Sequence, residues 1–277
     1  MNFIEQLRGG AKSRWSYVQV RDVILALIKE PKHRVYQAYK IPGGEFTVLR
    51  ARRLLKDKKW FSQEEDLGPP LPNKTTSPGR CHRPSQPLCY CSTIREIALS
   101  ELNAELGDRF VISEFRFEKE IMVLPVGELD YYRRTGETYL GSELEESKKP
   151  FNDILARQDS AIPKLIDAFL ADEFIKPAIT DADYKITSAF SNIILNESEE
   201  SDQIDAIIYP SVVFRGGLNS AIKPRSMKNK IKLINVEIVE ITDVIGYGIF
   251  DYRPLGKLES VNHGLLEWTV IQSIEEQ

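Results

Sequence analysis

An α+β fold with a mostly antiparallel, strand-rich second half is what the sequence predicts, on three observations. Apolar residues recur at intervals of three and four in 16–30, 162–175 and 184–195, the period of a packed helix. Segments 46–52 and 110–117 instead alternate apolar and polar side chains, the period of a strand. Near the end, 231–241, 246–252 and 265–271 are strand-like in succession, with no helical stretch between them.

Each element has a local reason. In 16–30 the spacing of Val20, Val23, Ile24 and Leu27 builds one apolar face, and Pro31 stops it. The turn signal Pro42-Gly43-Gly44 precedes the strand Phe46-Thr47-Val48-Leu49-Arg50-Ala51-Arg52. Residues 67–79 are rich in Pro, Thr, Ser and Gly, hence a loop, and their place between two motif-bearing segments suits the wall of a pocket. Residues 87–92 read as a short strand, and 93–106 as a helix carrying Ile97, Ser100, Glu101 and Ala104 that Gly107 closes. The polar, charged stretch 140–160 reads as a flexible or helical insertion, and 197–202 as an acidic loop before the apolar strand 204–209.

Length and composition bound the function. A chain of 277 residues suffices for one sizeable domain plus an appendage, here a helical N-terminal extension over 1–45 and a main domain over 46–277. With 42% hydrophobic and 28% charged residues it reads as an ordinary globular protein, and its apolar runs are too short for a membrane span. The N-terminus has no basic segment followed by an apolar one, so a cytoplasmic location is expected. A net charge of −4 provides no general attraction to nucleic acid, and the basic runs at 50–59 and 223–232 read as solvated faces. All 3 Cys fall within 81–91, which argues against a secreted disulfide framework. Cys81-His82 with Cys89 and Cys91 lacks the paired Cys-x2-Cys spacing, so no metal is expected.

The chemistry-bearing residues are an Arg, a Glu and a Ser, a set suited to a substrate with phosphate and ribose. Arg50 and Arg52 share one face of their strand, with Ala51 on the other. The planar fork of Arg can bind pyrophosphate or ribose hydroxyls bidentately, as Lys cannot. Arg80 follows Gly79 in a loop that can approach a ligand closely. Tyr90 stands opposite Cys89 and Cys91, so that cysteines facing the core would turn its ring outward for stacking. Ser211 follows an apolar strand and Pro210, with no neighbouring His to activate it as a nucleophile; its hydroxyl is suited to orient a ligand.

In order, Leu49-Arg50-Ala51-Arg52, the Gly68-Pro69-Pro70 to Gly79-Arg80 loop, Leu88-Cys89-Tyr90-Cys91-Ser92, Ala98-Leu99-Ser100-Glu101 and Tyr209-Pro210-Ser211-Val212 before Gly216-Gly217 resemble the RES domain family over about 46–255. The resemblance implies an ADP-ribosyltransferase-like core of antiparallel strands with flanking helices, so that 46–277 becomes a RES-type NAD-binding catalytic domain. It implies an NAD-consuming, toxin-like enzyme that breaks the nicotinamide–ribose bond with water or phosphate as acceptor. In this assignment Glu101 stabilises the oxocarbenium-like transition state and, with Arg50 and Ser211, is catalytic, while Arg50, Arg52, Arg80, Tyr90 and Ser211 bind NAD. NAD is substrate, no cofactor is implied, and the expected partners are a helix-turn-helix antitoxin protein and a second copy in a homodimer. Two alternatives share the substrate: ADP-ribosyl transfer to a macromolecule, and an NAD-binding protein without catalysis.

Overall fold

A computed structural model describes residues 3–29, 38–44, 46–139, 145–157 and 161–271. Part of the expected insertion at 140–160 lies outside the described residues. Its helices are α1 (Phe3–Ser13), α2 (Tyr17–Lys29), α3 (Arg95–Glu101), α4 (Glu128–Thr135), α5 (Glu145–Ala156), α6 (Ala161–Ile175), α7 (Lys185–Asn192) and α8 (Pro224–Lys230). Its strands are β1 (Tyr39–Ile41), β2 (Thr47–Arg53), β3 (Cys89–Ser92), β4 (Arg109–Phe117), β5 (Ile121–Pro125), β6 (Ala206–Pro210), β7 (Leu218–Ile222), β8 (Ile231–Gly246), β9 (Ile249–Asn262) and β10 (Leu265–Val270). The fold is α+β.

The chain forms two compact units, each assembled from three stretches of sequence. The first comprises the described residues up to Lys40 together with Pro72–Gln86 and Met122–Pro210. Its strands β5 and β6 pair in parallel, Val123 opposite Ala206, as the long helical crossover between them requires. The core is built on α6, whose Ile166, Phe169, Leu170 and Phe174 are buried, with Phe174 edge-on to Phe190 of α7 at 6.1 Å. Within this unit Asp167, 2% exposed, caps α4: its two carboxylate oxygens accept the backbone N–H groups of Gly127 (3.1 Å) and Asp130 (2.8 Å). Burial pushes Asp167 up to about 7 against those hydrogen bonds, and pushes neighbouring Glu128 up to about 7 as well.

The second unit comprises Ile41–Leu71, Pro87–Ile121 and Ser211–Gln277. Its strands follow the order β7-β3-β2-β4-β8-β9-β10, and the pairings described between them are antiparallel. Both faces of β4 are covered, which is why Phe110, Val111 and Ile112 are all buried in a row. Phe110 and Ile112 join Leu99, Val239 and Ile241 on the α3 side, whereas Val111 joins Phe61, Leu67, Val236, Ile238 and Leu255 on the other.

Helix α3 is shorter than the sequence predicts. It ends at Glu101 because Asn103 takes a left-handed φ of 48° and turns the chain, leaving Ala104 outside the helix. The β8–β9 hairpin is longer: β8 runs to Gly246, and the turn Gly246-Tyr247-Gly248, all at positive φ, replaces the expected strand start.

Candidate active site

Glu101 is the last residue of α3, and the helix is fixed at both ends. At its start Arg95 pairs with Glu237 of β8 and lies 4.6 Å from the ring centroid of Tyr252. Along its length Ile97, Ala98 and Leu99 are buried. Gly217 comes so close to Ile97 that an added Cβ would stand 2.6 Å from its Cδ1, and just past the helix end Arg53 Nη2 donates to the carbonyls of Leu102 (2.6 Å) and Asn103 (2.9 Å).

Ser211 lies in the turn before β7. Its backbone N–H donates to Gly217 O (2.8 Å), and its hydroxyl oxygen accepts the N–H groups of Val213 (3.3 Å) and Phe214 (3.1 Å). With those lone pairs occupied, the hydroxyl proton is donated to Glu101 Oε1 at 2.7 Å. A second donor reaches the same oxygen: Asn219 Nδ2 of β7, at 2.5 Å. Asn219 lies opposite Ser92 of β3, whose Oγ donates to Asn219 Oδ1 at 2.7 Å. Ser92, Ser211 and Asn219 are buried (5%, 7% and 5% exposed), but Glu101 itself is exposed. Buried donors thus hold a carboxylate that a ligand can reach, a preorganised negative charge at the surface of the sheet.

Glu101 and Ser211, both candidates from the sequence, are joined by the fold in a hydrogen bond across 110 positions. Asn219 has no place among the candidates from the sequence, and Ser92 appears only within the Leu88-Cys89-Tyr90-Cys91-Ser92 motif, with no role of its own. The available signal is a polar pair, Asn219-Ser220, one residue beyond Gly216-Gly217 and inside β7.

The remaining candidates are distributed by strand register. Leu49 pairs with Ser92 and Asn219 with Ser92, so Ser92, Asn219 and, two residues along β3, Tyr90 share the face of Leu49 and Ala51, on which α3 packs. Arg50 and Arg52 occupy the opposite face with Cys89 and Cys91. There Arg50 Nη1 donates to Tyr90 O (3.2 Å) and toward Cys89 Sγ (3.8 Å), and Arg50 Nε is buried without a partner. The thiols of Cys89 and Cys91 lie 3.7 Å apart. The hydrogen bond between the two thiols and, against burial, the Arg50 charge draw Cys89 down, while Cys91 is pushed up.

Arg52 donates to the carbonyl of Asp66, sits 3.8 Å from its carboxylate and stacks 4.9 Å over Phe61. Arg80 belongs to the first unit. It donates to the carbonyls of Phe174 (2.7 Å) and Lys176 (3.0 Å) at the end of α6, where a cation satisfies orphan acceptors and the helix dipole. Both guanidinium groups are engaged in bracing their own surroundings. Among the described residues no group of three or more His, Cys, Asp or Glu side chains could hold a metal ion.

The RES domain model matches residues 47–238, well over half of the chain, from the first residue of β2 to the middle of β8. The chain belongs to the RES domain family. No curated protein and no solved structure matches it. Membership places this RES protein in a broadly NAD-related, toxin-like class associated with antitoxin partners, and the match spans Arg50, Tyr90, Glu101, Ser211 and Asn219. Among the described residues no helix is long and apolar enough to cross a membrane.

Proposed function

We propose that this RES protein consumes NAD by breaking the bond between nicotinamide and ribose, with water or phosphate as acceptor. The observation that carries the reading is the exposed Glu101 carboxylate held on one oxygen by the buried Ser211 hydroxyl. Departure of nicotinamide leaves positive charge on the ribose C1′ and ring oxygen, and a fixed carboxylate lowers the energy of that charge without reorganising at the moment of reaction. Its neighbour Ser211 acts by orientation, because its proton is already committed to Glu101 and its oxygen to two backbone N–H groups. Tyr90, on the face of Ser92 and Asn219, is assigned the stacking contact with the nicotinamide or ribose edge. Arg50 enters as a binding residue through its half-buried side chain, on the face of β2 opposite Tyr90, where a planar fork suits phosphate or ribose hydroxyls.

Atoms balance simply. With water, NAD and H2O yield nicotinamide, ADP-ribose and a proton; with phosphate, NAD and hydrogen phosphate yield nicotinamide and ADP-ribose 1-phosphate, and no water is consumed. A helix-turn-helix antitoxin is the proposed partner, supported by family membership.

The test is incubation of purified protein with NAD in phosphate-free and phosphate-containing buffer, beside Glu101→Gln. The amide keeps an oxygen able to accept from Ser211 and Asn219 but carries no charge, so turnover should fall about a hundredfold or more while NAD binding is retained. Label on a macromolecule in place of a released product would replace the reading with ADP-ribosyl transfer. Equal turnover by wild type and Glu101→Gln would remove Glu101 from the mechanism.

A further inference from the structure

We propose that Asn219 and Ser92 are positioning residues that set the rotamer of the Glu101 carboxylate, an inference that rests on the reading of Glu101 as the reacting group. Glu101 ends its helix and is exposed, so packing alone leaves its side chain free to sample rotamers. What restrains it is a chain of directed bonds. Ser92 Oγ donates to Asn219 Oδ1 (2.7 Å), which turns the Nδ2 end of the amide toward Glu101 Oε1 (2.5 Å). The donor from Ser211 (2.7 Å) arrives at that same oxygen, and neither bond uses Oε2. One carboxylate oxygen is pinned and the other is presented outward, toward a ribose that comes from solvent.

The scaffold of this relay is rigid. Ser92 and Asn219 are directly paired on β3 and β7, both are 5% exposed, and Cys91 and Ser220 continue the same register. A buried Asn in a strand shared with Leu218, Ser220, Ala221 and Ile222 is costly unless its amide is satisfied, and Ser92 and Glu101 satisfy its two ends. Asn219 is therefore held by the sheet, and Glu101 by Asn219.

Two readouts test this. The first needs no turnover: in nitrogen-labelled protein the side-chain amide protons of Asn219 should exchange with solvent at least about tenfold more slowly in the wild type than in Glu101→Ala. The second is kinetic. Asn219→Ala should lower kcat about tenfold to a hundredfold with KM for NAD within about twofold, because it loosens a group that acts in the transition state. Ser92→Ala should lower kcat by a smaller factor, and Ser92→Thr, which keeps the hydroxyl, should recover most of that loss. Urea unfolding of each variant separates the effect from misfolding. Equal amide exchange in wild type and Glu101→Ala overturns the proposal, as does full kcat in a folded Asn219→Ala. If the wild type turns over no NAD, it is the NAD reading that fails, and the amide-exchange comparison alone decides whether Asn219 positions Glu101.

Discussion

Asp167→Asn is expected to invert its effect on stability with pH, because the carboxylate that caps α4 is also one the fold holds in a nearly dry site. Its ordinary value is 3.8, and burial sets it at about 7 in the folded chain. The folded state thus binds this proton more tightly than the unfolded state. Stability from this group is full below about pH 4, declines as pH rises toward about 7, and is level above that. At 1.36 kcal/mol per pH unit, the gap from 3.8 to about 7 amounts to roughly 4 kcal/mol withheld at neutral pH, of which roughly 3 is lost above about pH 5. Asn does not titrate, so the variant escapes that loss. It has its own constant penalty: Asp167 offers one oxygen to Gly127 N–H and the other to Asp130 N–H, and an amide has only one oxygen, a deficit of about 1–2 kcal/mol. The two proteins should be close in stability near pH 5. Near pH 8 the variant should be more stable by roughly 2 kcal/mol, since the relief exceeds the lost bond. Glu128, pushed up to about 7 by burial, titrates in both proteins, and removal of the Asp167 charge beside it adds to the shift in the same direction. Urea unfolding followed by circular dichroism at the two pH values measures the difference. A stability difference that is the same at both would refute an Asp167 that is protonated in the fold.

Two further outcomes follow from the second unit. Arg50→Lys keeps the charge but loses the planar fork, so NAD affinity in a titration should weaken by about 1–3 kcal/mol; unchanged affinity would leave Arg50 as a brace between β2 and the Tyr90 carbonyl. Gly217→Ala drives a methyl to 2.6 Å from Ile97 Cδ1 and should cost about 1–3 kcal/mol, with Ile97→Val, which removes that atom, restoring part of it; a purely additive double-mutant cycle would show that the two do not touch.

Helix and strand character was legible where it is a local property. The apolar spacing in 16–30 and in 162–175 became α2 and α6, since one buried face imposes its period on a helix, and 110–117 became β4, where burial on both faces confines the alternation to Ser113–Phe117. Glu101 and Ser211 were legible as members of an ordered set of motifs rather than through any chemistry of their own neighbourhoods. What the sequence could not determine is how those residues meet. The end of α3 depends on the left-handed turn at Asn103, and the strand β7 is hidden because Asn219 and Ser220 interrupt its apolar pattern. Asn219 lies 118 positions from Glu101, and only the pairing of β3 with β7 brings Ser92, Asn219 and Glu101 into one relay. The same register sends Arg50 to the face opposite Tyr90, a matter of one residue's offset in a period of two. Local periodicity is written into adjacent residues, but the partner of a strand, and with it the direction of every side chain along that strand, is decided by contacts that exist only once the sheet has formed.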